Sequence, residues 1–476
     1  MTAAPVSIRP RGRSRARSRR LGAARAPAAA LAVAVAVAVV AALGCGKKAA
    51  HKRSGDAAAV EVVTTPALPD GGVGGGPASE EIEPNDGDDV ATALALGATV
   101  HGKIDPDTDV DRYRIDVTQP GALSVLASGL DAFDVVLEIE DAGGNVIARS
   151  DRGGARVREG VPNLAVSPGR YTAVVQARKP APPTPSKKKS PKKPAPEPAR
   201  PIGGPYEITA SMVAPAAGAE REPDDDRGAA NDLIAGDTAT GYIGWTGDVD
   251  VWKVSVEALS AKNALDVELS AVEGVALQLE IADGVGKPLV RRKGARGAAL
   301  VVRGFVPVVP PGAPPFHYLT VKDPTVKDAS GRDPVPADRS NPETAYQLRV
   351  VAKVTAPDAE IEPNDTPETA MAVPTDRKSL HAQWSTGDVD CFAVPPEDAA
   401  RTLEASIDMP NELDLAIDLL VDGKLAGKSD HPGKGAAEKV TAAVPAGAHA
   451  VIRVRGGDTQ GDGGYELVIN EGAAPP

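Results

Sequence analysis

Apolar side chains recur at every second position through short stretches of this chain. Tyr113, Ile115 and Val117 alternate with Arg114 and Asp116, and Trp252, Val254 and Val256 alternate with Lys253 and Ser255. A period of two sets one face of an extended strand against a core and the other toward water. At 136–144, 277–284 and 415–423 strand-forming residues run into an Asp/Gly turn, which predicts hairpins.

The pattern repeats as a whole. Glu81-Ile82-Glu83-Pro84-Asn85-Asp86 returns as Glu220-Arg221-Glu222-Pro223-Asp224-Asp225 and as Glu360-Ile361-Glu362-Pro363-Asn364-Asp365, at intervals of 139 and 140 residues. A second signature follows each: Asp109-Val110-Asp111, Asp248-Val249-Asp250 and Asp388-Val389-Asp390, with an aromatic two residues on, Tyr113, Trp252 or Phe392. First Glu and last Asp are 30 residues apart in every copy, a spacing that chance composition would not keep three times. Each copy closes with Tyr-x-Ile/Leu, at Tyr206, Tyr346 and Tyr465. Many short strands separated by turns predict an all-β chain of three tandem β-sandwiches, at 80–214, 218–355 and 358–471.

Composition agrees. Aromatics make up 3% of the chain against 44 Pro and 49 Gly, so the cores must be built from Val, Ile, Leu and Ala in sheets cut by turns. The gap between the last two strands is longest in the first copy, where 179–201 includes Lys187-Lys188-Lys189-Ser190-Pro191-Lys192-Lys193-Pro194. This basic, proline-rich insertion is expected to stay solvated and extended, as a low-complexity expansion or as a docking spike for an acidic partner.

Ahead of the repeats, eight arginines and no acids precede a run of Ala, Val and Leu over 28–43. These sixteen residues fall short of the ~20 that span a bilayer comfortably and match the charged and apolar regions of a signal peptide. Ala42-Leu43-Gly44-Cys45 resembles a bacterial lipobox, although its Leu stands two rather than three places before the cysteine. The resemblance implies a lipoprotein signal peptide over 1–44, acylation of Cys45, and a bilayer as the anchor. An ordinary signal peptide is the alternative. Residues 45–79 are Lys-, Ala- and Gly-rich without periodicity and are expected to form a disordered, flexible tether reaching roughly 30 Å. The expected location is the bacterial cell envelope, lipid-anchored at the outer membrane or cell surface.

Without the signal segment Lys plus Arg falls from 53 to 45 against 65 Asp plus Glu, a net charge near −20. Such a surface disfavours nucleic acid as a partner and favours cations. Cys391 is the only cysteine besides Cys45, so no disulfide framework is available once Cys45 is acylated. Its place between Asp390 and Phe392 suits a small half-buried strand residue better than a nucleophile.

The order Glu-x-Glu-Pro-Asn-Asp, Asp-x-Asp-x-aromatic, alternating strands and a final Tyr-x-Ile/Leu resembles the bacterial pre-peptidase C-terminal domain, over nearly the whole span from Glu80 to Glu471. The resemblance implies jelly-roll-like sandwiches, exported, with calcium held at the acidic motif by some members. Residue by residue it carries to Glu81, Glu83, Asn85, Asp86 and Asp111; to Glu220, Glu222, Asp225 and Asp250; and to Glu360, Glu362, Asn364, Asp365 and Asp390. Asp224 stands where the other copies have Asn, so the second copy is expected to bind differently or not at all. Asp109, Asp248 and Asp388 lie close by.

The physical case for Ca²⁺ stands beside the resemblance. That ion takes six to eight hard oxygens in tolerant geometry. Alternate residues of an extended Glu-x-Glu segment point the same way, with Pro84 and Pro363 holding the backbone extended ahead of the turn. Four or five acids brought together repel one another unless a cation joins them. Against this, Asn-Asp also begins turns, and Asp365-Thr366-Pro367-Glu368 suits a helix cap.

Six scattered histidines form no His-Glu-x-x-His pattern, and neither a Gly-x-Ser-x-Gly elbow nor a phosphate loop is present. The expectation is a non-catalytic binding or adhesion array stiffened by calcium, its partner an envelope or extracellular protein or polysaccharide. The alternative is an accessory lipoprotein of a secretion or envelope complex, with an enzyme a remote third. Recognition of carbohydrate or collagen wants exposed aromatic platforms, and Trp245 and Trp384 are expected to face outward.

Overall fold

The computed structural model describes residues 79–131, 134–178, 203–259, 263–324, 339–376, 378–456 and 462–474. The signal segment, Cys45, the tether up to residue 78 and the basic insertion 179–201 lie outside them. Among the described residues every regular element is a β-strand, and the strands form six sheets in three face-to-face pairs, each pair around its own core.

In the first sandwich one sheet runs in the order Ser79–Glu80, Thr99–Ile104, Gly204–Val213, Gly121–Ala127, Glu159–Val166. The facing sheet runs Thr92–Ala93, Val110–Val117, Gly169–Ala177, Val135–Glu140, Val146–Ser150. Successive strands cross from one sheet to the other, except at the hairpin joining Val135–Glu140 to Val146–Ser150, which gives a jelly-roll-like weave. The second sandwich repeats it, with Val249–Ser255 beside Phe316–Lys322 and the hairpin Gln278–Ala282 to Pro288–Lys293 facing Tyr346–Val354, Asn263–Leu269 and Leu300–Phe305. So does the third, with Val389–Val394, Ala450–Gly456 and the hairpin Leu415–Val421 to Lys424–Ser429 facing Ser379–Ser385, Asp462–Ala473, Arg401–Asp408 and Glu438–Val444.

The period-two pattern explains which residues reach the cores. Along Val110–Val117 the inward positions are Asp111, Tyr113, Ile115 and Val117, so an aspartate leads the buried row. Asp250 leads Trp252 and Val254 in the same way, and Asp390 leads Phe392 and Val394. Other sequence expectations are corrected. Trp384 is 2% exposed inside the third core, and Trp245 is half-buried against the core of the first sandwich, so neither is an outward platform. Cys391 is fully rather than half buried, and burial pushes its thiol up to about 12.

One contact recurs between neighbouring sandwiches. Strand Glu159–Val166 carries a bulge, since Leu123 pairs with Leu164 but Val125 pairs with Val161; the strand Leu300–Phe305 has the same irregularity between Leu265 and Val267. The extra residue takes a left-handed conformation, Asn163 at φ 54° and Gly304 at φ 65°. Its carbonyl accepts the N–H of Glu222 (2.9 Å) or Glu362 (3.0 Å), and the next N–H but one, of Ala165 or Val306, donates back at 2.8 Å. The acidic motif of each later sandwich is therefore clipped as a short parallel bridge onto the sandwich before it. In the third sandwich Arg401–Asp408 pairs with Glu438–Val444 in unbroken register, without that bulge.

Candidate metal centre

Each acidic motif lies where a sandwich's inner aspartate meets its entering segment. The Glu–Pro peptide bond is cis in all three copies, so the chain bends at Pro84, Pro223 and Pro363 rather than running extended past them. The bend folds the next residue back on the second glutamate: the N–H of Asn85, Asp224 and Asn364 donates to Glu83, Glu222 and Glu362 at 2.8, 3.1 and 2.7 Å. The first glutamate accepts from a backbone N–H, of Lys103 (2.6 Å), Tyr242 (3.0 Å) or Gln383 (2.8 Å). The closing tyrosine completes the inner wall. Tyr206 and Tyr465 donate to Asp111 and Asp390 at 2.5 Å each, and Tyr346 donates to Glu220 at 3.3 Å while accepting from the Trp252 indole at 2.8 Å. Gly241 makes room for this packing, because a Cβ there would lie 2.4 Å from both Glu220 Oε1 and the Tyr346 hydroxyl.

Carboxylate oxygens converge within 4.8 Å of one another in three groups: Glu81, Glu83 and Asp111; Glu220, Glu222 and Asp250; and Glu362, Asp365 and Asp388. Asp224 belongs to the second site from the inside. It is fully buried and accepts from Asn231 at 2.6 Å, whereas the side-chain amides of Asn85 and Asn364 at the same position donate to Glu81 and Glu360. Asp225 and Asp86 stay exposed at the rim. Asp248 and Asp388, which sequence placed only nearby, are buried site members. Glu360 and Asp390 lie on the inner wall of the third site, away from its outer group of Glu362, Asp365 and Asp388. The tyrosines and Asn231 were not foreseen as site residues, although the fixed Tyr-x-Ile/Leu motif marked the former.

These carboxyls resist ionisation. Burial first, with neighbouring carboxylates second, pushes Asp111 up to about 8 and Glu222 up to about 10, and holds Glu220, Asp248 and Asp250 well above the usual range. Several oxygens have no partner: Oδ1 of Asn85, Asp224 and Asn364 at one position in all three copies, Oδ1 of Asp111 and Asp390, and Oε1 of Glu222 with Oδ1 of Asp248 in the second site. Unpartnered buried oxygens converging without an opposing charge are the donor set a hard divalent cation takes, so the first and second sites fit calcium.

The third site differs. Arg292, from the hairpin of the second sandwich and 1% exposed, extends into it. Its Nη2 contacts Glu362 Oε1 and Asp388 Oδ1, and its Nη1 lies 2.9 Å from Asp365 Oδ1. Sequence made the second copy the doubtful one because of Asp224, whereas in the structure it is the third site that already holds a positive charge. Arg292 escaped sequence reading, and the signal was an alignment of the hairpins, where Ser150 and Ser429 stand at its position.

No family model and no curated protein matches the chain. Among solved structures, the pre-peptidase C-terminal domain of a Bacillus anthracis collagenase is similar at 12% identity over 29% of this chain and 98% of that one, with a TM-score of 0.18. A putative secreted protein from Eubacterium rectale is similar at 11% identity over 57% of this chain and 81% of its own (TM-score 0.18), and the PBSX exported protein XepA at 9% over 55% and 90% (TM-score 0.18).

Proposed function

We propose that the chain is a non-catalytic, exported cell-envelope protein whose three sandwiches form a calcium-stiffened array, held to a membrane through acylated Cys45. The observation that carries this reading is the second acidic site. Glu220, Glu222, Asp224, Asp248 and Asp250 are each at most 1% exposed, and the motif that supplies the first three is also the clip between two sandwiches. A cation bound there would fix one sandwich relative to the next as well as relieve the repulsion among its ligands. Calcium titration of the whole chain, with thermal unfolding in calcium and in chelator, tests it. Binding only to the folded state adds about 2.7 kcal/mol at a hundredfold excess over Kd. Equal unfolding in both solutions sinks the reading.

The burial of Trp384 favours the second of the two roles expected for such an array. Among the described residues the Trp, Tyr and Phe side chains are buried or half-buried, so recognition of a polysaccharide by aromatic stacking has little surface to use there. A spacer or accessory role in an envelope assembly needs none. Pull-down with purified cell-wall polysaccharide checks this; no retention is expected, and retention lost on Trp245→Ala would restore the adhesion role.

A further inference from the structure

We propose that Arg292 is the built-in cation of the joint between the second and third sandwiches, standing where the first joint takes a soluble divalent ion. The inference rests on the calcium reading of the second site and is carried by an atom-for-atom match. Arg292 Nη2 sits between Glu362 Oε1 and Asp388 Oδ1. The equivalent atoms one joint earlier, Glu222 Oε1 and Asp248 Oδ1, are buried and have no partner. Both joints are otherwise clipped alike, through Asn163 and Leu164 or through Gly304 and Phe305.

A paired exchange of residues frees Arg292 for this task. In the first and third sandwiches the equivalent serine turns inward on a buried glutamate: Ser150 donates to Glu159 at 2.6 Å, and Ser429 donates to Glu438. In the second sandwich the serine position holds Arg292 and the glutamate position holds Leu300, each identified by its ladder partner. With no carboxylate at home, the guanidinium reaches forward into the next sandwich. Its planar fork of donors reaches three carboxylates at once, Nη2 meeting Glu362 and Asp388 while Nη1 meets Asp365. The array then has two kinds of joint, one that calcium sets and one set permanently by the chain itself.

The test counts calcium ions by isothermal titration on the whole chain. The double variant Arg292→Ser with Leu300→Glu restores the serine–glutamate pair and vacates the third site; it is expected to bind one more calcium than the wild type. The reciprocal pair, Ser150→Arg with Glu159→Leu, is expected to bind one fewer. Should the first variant fold poorly, single isosteric changes decide: Asp248→Asn is expected to lower the wild-type count by one and Asp388→Asn to leave it unchanged. A loss of one ion on Asp388→Asn, or no gain on vacating Arg292 while Asp248→Asn still loses one, overturns the proposal. If the wild type binds no calcium and the vacated variant binds one, the role of Arg292 stands and the calcium reading of the second site falls.

Discussion

Asp224 in place of Asn85 apart, the first and second acidic clusters are built from matching carboxylates in matching order, and they meet opposite surroundings. Glu81 is half-buried and Glu83 exposed, while Glu220 and Glu222 are 0% and 1% exposed. The difference comes from outside the cluster: the second has a preceding sandwich clipped over it through Asn163 and Leu164, and no described residue does the same for the first. Site chemistry here is set by position in the array as much as by ligand identity. The same carboxylates that water can solvate at the open end must be neutralised, by proton or cation, once a joint closes over them.

The sharpest way to break that comparison is to remove the closing tyrosine at each site. Tyr346→Phe strips the Trp252 indole N–H of its acceptor and Glu220 of a donor, both fully buried, and is expected to destabilise the second sandwich by about 3 kcal/mol. Tyr206→Phe also strips buried partners, Asp111 and Tyr113, but Glu81 and Glu83 beside them are half-buried and exposed, so water can reach the cluster's outer side and about half that loss is expected. Urea unfolding of the two variants checks the ratio; equal losses would mean that the joint does not set the local environment.

How far sequence reached is clear at these same residues. Period-two alternation gave the strands and their buried faces, and the 30-residue link between Glu and Asp placed both in one site. The rule also contained an unread consequence: an aspartate in phase with Tyr113 and Ile115 must point inward, so Asp111, Asp250 and Asp390 had to be core carboxylates. The joints were not legible. Asn163 and Gly304 look like ordinary strand interruptions, and only the assembled structure shows their carbonyls taking the N–H of Glu222 and Glu362. The expected outward Trp384 failed for a related reason, since strand Ser379–Ser385 buries it beside Ser385 and its place just before Asp388 said nothing of depth.

A second contrast is one of pH. In the first sandwich Glu159 is buried beside Ser150, and that burial raises its carboxyl to about 7 against hydrogen bonds from Ser150 and Arg152. Raised above its unfolded value, it contributes stability in full below pH ~4.5 and loses it as pH climbs from there through about 7, a change on the order of 3 kcal/mol. The second sandwich has Leu300 at this position and lacks this carboxyl, so any pH dependence there comes from its acidic site alone. Denaturant midpoints from pH 4 to 8 should therefore fall for the first sandwich and fall less steeply in Glu159→Gln, where Asp111, raised to about 8, supplies the remaining slope; an unchanged slope in Glu159→Gln would refute the assignment.

Smaller again is the backbone contribution of the clip. Asn163 tolerates a left-handed φ better than most residues and donates to Glu220 at 3.4 Å, so Asn163→Ala is expected to cost about 1 kcal/mol. Gly304→Ala should cost at least as much, because its Cβ would meet the Glu360 carbonyl at 2.9 Å. Amide hydrogen exchange at Glu222 and Glu362 reads each joint separately, and protection that survives both changes would show the clips to be incidental.

The least effect is expected where the first two sandwiches touch in the open. Arg158 and Glu343 lie 2.5 Å apart across that joint, but their side chains are 48% and 44% exposed. Water and salt screen such a pair, and ordering two long side chains offsets most of the attraction, leaving about 0.5 kcal/mol or less. Glu343→Ala should leave the unfolding midpoint nearly unmoved, and the small shift should vanish in 0.5 M salt. A large, salt-resistant loss would place the strength of the joint in its rim, whereas the buried acids and the cation proposed for them predict that it lies within.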